Sequence, residues 1–163
     1  MITDIIERLN KHIDYSYKDV LKPVAYPVLT KSSILPASLD GEIYNDAVPD
    51  SKKKSIAFWE DWGTRAVSVH VRDSTYVSNV RLIVWVNMEF VDLSRGQCIS
   101  EMIKSIPKFI PGERGIYIKN TEIFPSTTNI FSRYSFREGK QYMTAPYYAF
   151  SLAYDIKFKT QVC

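Results

Sequence analysis

This chain of 163 residues is poor in the residues that most catalytic chemistry needs. Its cysteines are Cys98 and Cys163, and its histidines are His12 and His70. Two cysteines, one inside an expected helix and one at the last position, make neither a disulfide framework nor a zinc motif. They point to a reducing compartment, the cytosol. His12 on an expected helix and His70 on the polar face of an expected strand read as surface residues. Six glycines are scattered, and they form neither a phosphate-cradling loop nor a dinucleotide fingerprint. No Gly-x-Ser-x-Gly elbow is present. No apolar run approaches the roughly 20 residues of a membrane span, so no membrane partner is expected. The opening MITDIIERLN is amphipathic with early acids, unlike a signal peptide. Glu60 and Asp61 are adjacent, so on an extended chain they point apart. Acid–base work needs a positioned partner for them. A pocket gathering Glu60, Asp61 and His70 is the arrangement that would restore an enzymatic reading. The expectation is a protein that is not an enzyme and holds no cofactor and no metal.

Strong charge of one sign is also missing. The net charge of +3 is too small to argue for nucleic acid. Its distribution says more. Residues 1–50 hold 5 Lys+Arg against 8 Asp+Glu, a net of −3, and residues 51–163 hold 16 against 10, a net of +6. Such a split gives a molecule two electrostatic faces, or two stretches of solvated surface.

Hydrophobic residues, at 45%, suffice for one globular domain over 1–163. Aromatics reach 13%, with 11 tyrosines. Tyr suits strands and suits contact surfaces, because it buries area and keeps a hydroxyl. The organising stretch is NVRLIVWVNMEFVDL, 79–93. Val80, Leu82, Val84, Val86, Met88 and Phe90 alternate with Arg81, Ile83, Trp85, Asn87 and Glu89, so both faces are apolar at the middle. That pattern predicts a central strand covered on both sides.

Around it the chain reads in order. A helix is expected over 3–14, capped by Thr3, with Ile2, Ile5, Ile6, Leu9 and Ile13 on one face. KPVAYPVL (22–29) reads as an edge strand or extended arm, because its prolines cannot donate to a ladder. Residues 30–54 are turn-rich and read as a long extended loop. Its Ile34, Leu35, Leu39, Ile43 and Tyr44 argue against disorder and are candidates for docking on a neighbouring subunit. Lys52–Lys54 read as a solvated loop end. A strand over 56–59 leads to a turn at Gly63, then a strand over 65–72 with Val67, Val69 and Val71 inward. Residues 73–78 are expected to be a connecting loop, since no Asn-Gly or Asp-Gly marks a tight turn. Ser94 and Gln97 form a capping box, with Leu93 and Cys98 as hydrophobic staple, for a helix that Pro107 ends. A strand is expected over 115–124 and a short helix from Thr128, broken at Gly139. In 147–161, Tyr148, Phe150, Leu152, Tyr154, Ile156 and Phe158 alternate with Ala149, Ser151, Ala153, Asp155, Lys157 and Lys159, which predicts a strand pairing with the central one or its neighbour. The sum is an α+β fold, an antiparallel sheet with a long hairpin packed against an N-terminal helix and one central helix.

The segment 131–142 mixes Arg133, Tyr134, Phe136, Arg137, Lys140 and Tyr142. Basic and aromatic residues together stack bases and hold phosphates, and they also build protein interfaces. Arg133, Tyr134 and Phe136 are taken as interface candidates, with a nucleic-acid-binding module as the alternative.

The order of these elements, from the amphipathic helix through KPVAYPVL, a long loop, a hairpin and one capped helix to TAPYYAFSLAYDIKF, resembles the small tail-terminator and head–tail connector proteins of tailed bacteriophages. The Tyr-rich, low-cysteine composition also fits a crAss-like gut phage. The loop at 30–54 and the Trp59–Trp62 corner depart from the family pattern. The resemblance implies an α+β subunit of a homo-oligomeric neck ring. Such a ring joins the portal side to the tail, beside adjacent neck, portal or tail-tube proteins. It surrounds DNA in the channel without sequence-specific binding, and it would sit in a virion assembled in the host cytoplasm.

Overall fold

The strand expected over 79–93 is the centre of the fold, but it ends at Asn87, where the Asn87 side chain caps a 3-10 turn over Met88–Phe90 and leaves Phe90 exposed. The computed structural model describes residues 1–15, 19–21, 23–49, 54–136 and 142–161. In chain order the elements are α1 (Ile2–Asn10), β1 (Asp19–Val20), β2 (Ala25–Leu29), β3 (Ile34–Asp40), β4 (Ile43–Asp46), β5 (Ser55–Val69), β6 (Asp73–Asn87), α2 (Arg95–Ser105), β7 (Tyr117–Phe124) and β8 (Tyr147–Gln161). The main sheet has the order β1-β5-β6-β8-β7, with β1 parallel to β5 and the other pairs antiparallel. A second, antiparallel sheet has the order β2-β3-β4. The protein is α+β, with one N-terminal and one central helix among the described residues.

Helices cover one face of the main sheet. Register aligns Trp59, Leu82 and Leu152 across β5, β6 and β8, so these share a face with Val84, Phe150 and Tyr154. Here α1 lays down Ile2, Ile5, Ile6 and Leu9, all buried. Its last residue, Asn10, accepts a 2.8 Å hydrogen bond from the Trp59 indole and donates to the Leu21 carbonyl at 3.2 Å. Those bonds spend the side chain on the sheet, and the helix ends at Asn10 rather than at residue 14. Thr3 lies inside the first turn and does not cap it. The capping box at Ser94 and Gln97 is present as read. From there α2 lies against β8, and the Arg95 guanidinium sits 4.8 Å from the Tyr148 ring. Tyr15 donates to the Cys98 carbonyl at 2.7 Å and so ties the two helical regions together.

Aromatic chain covers the other face. After a short 3-10 turn at Thr127–Asn129, capped by Ser126, the chain buries Ile130, Phe131, Tyr134 and Phe136. Phe131 and Phe136 pack on Trp85 at ring distances of 4.5 and 5.6 Å. Trp85 also donates to the Tyr142 carbonyl at 2.7 Å. The small sheet joins this cover through a two-way backbone bridge, Ile34 to Ser135 and back, each bond 2.9 Å.

Three expectations are corrected. First, residues 30–54 are not one long loop, because β3 and β4 form a hairpin within that span. A proline inside a run ordinarily argues against a strand. Here Pro27 and Pro36 face each other across β2 and β3, so neither neighbour loses an expected donor to the other. Pro36 accepts from Ala47 at 2.7 Å but has no N–H to return, and the β3–β4 ladder ends at Ala37–Asp46. Second, residues 73–78 are strand, not loop. They are pinned by β8 from Asp73–Gln161 to Ser78–Ile156. The hairpin closes in a tight turn over Val71 and Arg72, with His70 donating to Asp73 at 2.8 Å. No non-glycine residue there adopts positive φ, so the turn needed no Asn-Gly. Third, Val67, Val69 and Val71 are not inward; they are 55, 69 and 92% exposed. The distal half of β5 runs past the cover that buries Ser55 to Glu60.

The two covers should differ in weight. Trp85→Ala should cost about 3–5 kcal/mol, the usual range for a large buried aromatic. Ser94→Ala should cost about 0.5–2 kcal/mol. Urea denaturation followed by circular dichroism reads both, and equal losses would show that the aromatic cover contributes little.

Candidate functional site

Two of the strands combine an open edge with exposed apolar side chains. One is β4, outermost in the small sheet, with all four residues exposed. Ile43 is 68% and Tyr44 51% exposed. Leu39 pairs with Tyr44 and stands beside it, also exposed. Gly41, at φ +63°, makes the turn between β3 and β4, a conformation that suits glycine. The other is the distal half of β5, with its exposed valines.

A bulge separates the buried and exposed halves of β5. The register jumps between Asp61 and Thr64, leaving Trp62 and Gly63 without partners in β6. Gly63 takes φ +120°, and its N–H donates to the Asp61 carboxylate at 2.8 Å. Bulges bend a strand and re-aim its side chains. Here the bulge turns Trp62 onto the surface and fixes it. Its indole donates to Glu60 Oε2 at 2.9 Å, and Tyr134 donates to Glu60 Oε1 at 2.6 Å. The Arg81 guanidinium lies 4.3 Å from the Trp62 ring and 4.4 Å from the Phe124 ring. Arg133 sits 5.4 Å from the same indole and donates to the Asp61 carbonyl at 3.1 Å. Cation–π contacts of this kind hold both cations over the aromatic faces. Nothing in the sequence marks Trp62, Arg81 and Phe124 as neighbours, since register alone brings β5, β6 and the end of β7 together.

The candidate residues divide. Leu39, Ile43, Tyr44 and Arg133 are exposed. Ile34 and Leu35 are half-buried and pack on the core. Tyr134 and Phe136 are each 8% exposed and belong to the core cluster. They are corrected from contact residues to core residues, because the second face of the sheet needs their rings as cover. Rings buried in this way, Phe131 included, do not offer a face on which a base can stack. Arg137, Lys140 and Gly139 lie outside the described residues, as do Lys52, Lys53 and Cys163.

The groups considered for acid–base work do not meet. Glu60 is fully buried with two donors on its carboxylate, and Asp61 is engaged by Gly63. His70 is ten residues further on, roughly 30 Å at the rise of a strand. Cys98 is buried under the N-terminal turn of α2, and burial pushes its thiol upward, away from a reactive thiolate. Among the described residues no group of three His, Cys, Asp or Glu side chains is placed to hold a metal ion. No helix among them is long and apolar enough to cross a membrane.

No protein-family model matches the chain, and no curated protein is significantly similar to it.

Two outcomes test this description. Tyr134→Phe removes the phenol from Glu60 and should lower stability by about 1–3 kcal/mol, while leaving native mass unchanged. A change of mass without loss of stability would return Tyr134 to the surface. The phenols of Tyr15, Tyr134, Tyr148 and Tyr154 are all raised, chiefly by burial. Glu60 adds to the rise at Tyr134. A raised phenol keeps its proton in the folded state, whereas the unfolded chain releases it near pH 10. The stability these groups contribute is therefore complete below about pH 10 and lost as pH rises further. Tyrosinate absorbance from these four should appear together with loss of the circular dichroism signal. Full ionisation of a still-folded chain would contradict the burial.

Proposed function

We propose that this chain is a structural subunit of a homo-oligomeric ring in the neck or tail of a tailed phage, a tail terminator or head–tail connector. One observation carries this reading. Among the unpaired strand edges that the described residues leave, β4 and distal β5 lie on two different sheets, and each carries exposed apolar side chains. A ring subunit needs two different surfaces to meet its neighbours head-to-tail. Strand edges serve that purpose because their backbone groups seek partners.

Trp62, anchored by Glu60 and flanked by Arg81 and Arg133, adds a contact residue of the kind that dominates protein interfaces. In this reading adjacent neck, portal or tail-tube proteins meet the ring above and below. DNA passes through the channel without sequence-specific binding. The subunit carries out no reaction, and its place is the virion.

Light scattering across a concentration series tests the proposal. The expected result is a closed oligomer of fixed mass, reached alone or on addition of neck and tail proteins of the same phage. A monomer at every concentration that joins none of them would overturn it.

A further inference from the structure

Two of the free edges, β4 and distal β5, are opposite in charge. Between Leu39 and Asp46 the chain carries Asp40, Glu42 and Asp46 and no base. Between Trp62 and Arg72 it carries Arg65 and Arg72 and no acid. All five side chains are exposed. Both edges are open among the described residues. β1 pairs only with Ile56 and Ala57, so no described strand lies along the outer side of β5 beyond them. β4 has β3 on one side and no strand on the other.

We infer that β4 of one copy adds to the outer edge of distal β5 in the next copy, making the subunit contact by strand pairing. This rests on the ring reading and names the surfaces that would build it. The occupant follows from charge. Pairing β4 with a second β4 sets three acids against three, and pairing two β5 edges sets arginines against arginines. Of these three pairings only β4 against β5 is matched, and like charges across a contact disfavour the other two. The apolar residues agree with the match. Ile43 and Tyr44 meet Val67 and Val69, whose exposure no described element of the chain relieves. The stretch need be no longer than the four residues of β4, which suits an edge bulged between Ala66 and Ser68. Such a contact is heterologous, and it closes into a ring when the rotation per copy divides a full turn.

Two charge-reversal variants test this. D40K/E42K/D46K makes both edges basic, and R65E/R72E makes both acidic. Each alone should lose the oligomer mass seen for the wild type, with an unchanged thermal melt. Mixed in equal amounts they should regain it, because the basic β4 of one then meets the acidic β5 of the other. The melt confirms that each is folded. Should either variant unfold, Ile43→Lys and Val69→Lys at exposed positions replace the pair, and each should abolish assembly. Wild-type mass for both variants alone would overturn the edge pairing and leave the ring on another surface. Loss of assembly that mixing does not restore would overturn it too. A wild type that is monomeric at every concentration and joins no neck or tail protein would instead remove the ring reading itself.

Discussion

Everything in this structure depends on β6 having no free side. β5 pairs along one edge and β8 along the other, the latter in unbroken register from Asp73 to Asn87. From Leu82 to Asn87 every residue is buried, so both faces are covered as well. A strand so enclosed tolerates no slip, since moving by one residue exchanges its two faces. Two indoles hold the register from opposite sides. On the helix side Trp59 of β5 bonds to Asn10, and on the aromatic side Trp85 of β6 bonds to the Tyr142 carbonyl. Each spends its only donor on a distant segment, and a buried indole left unpaired would be costly.

From that fixed centre the exposed features follow. β5 is buried from Ser55 to Glu60, whose carboxylate takes donors from Trp62 and Tyr134. The bulge then lets the strand leave the core without leaving β6. The distal half is thus stiffly supported on one edge and unsupported on the other. This differs from a mobile loop, because backbone bonds to β6 and, through it, to β8 set its direction. A surface held in this way loses little conformational entropy on contact, which favours association.

The local signals in the sequence were reliable where one residue type decides the outcome. The Ser94–Gln97 box and the alternation at 147–161 depend on neighbours in the chain and stand as read, and the enclosed central strand does so as far as Asn87. What was illegible depends on pairing across the chain. Val67, Val69 and Val71 alternate as core residues do, and only the end of the cover over β5 exposes them. Tyr134 and Phe136 sit among basic residues as interface residues do, and only Trp85 against Phe136 and Phe58 against Tyr134 make them core. Pro36 forbids a hydrogen bond, yet its place opposite Pro27 makes that harmless. In each case composition is ambiguous until register is known.

The charge split in the sequence takes on geometric meaning in the same way. A net of −3 over residues 1–50 and +6 over the remainder is only an average. The fold places part of each on an open strand edge, the acids on β4 and its turn, the arginines on the distal hairpin. Natural proteins blunt open edges because they template unwanted pairing, and charge is one means of doing so. Charge of one sign on one edge and of the opposite sign on the other blunts self-pairing of either edge while favouring their union. Under the proposed assembly the difference between a ring and an open string of copies is then physical. A string of any length ends in one acidic and one basic edge, each still able to add a further copy. A closed ring leaves neither, so closure is the one state in which the exposed valines, Ile43 and Tyr44 are all covered.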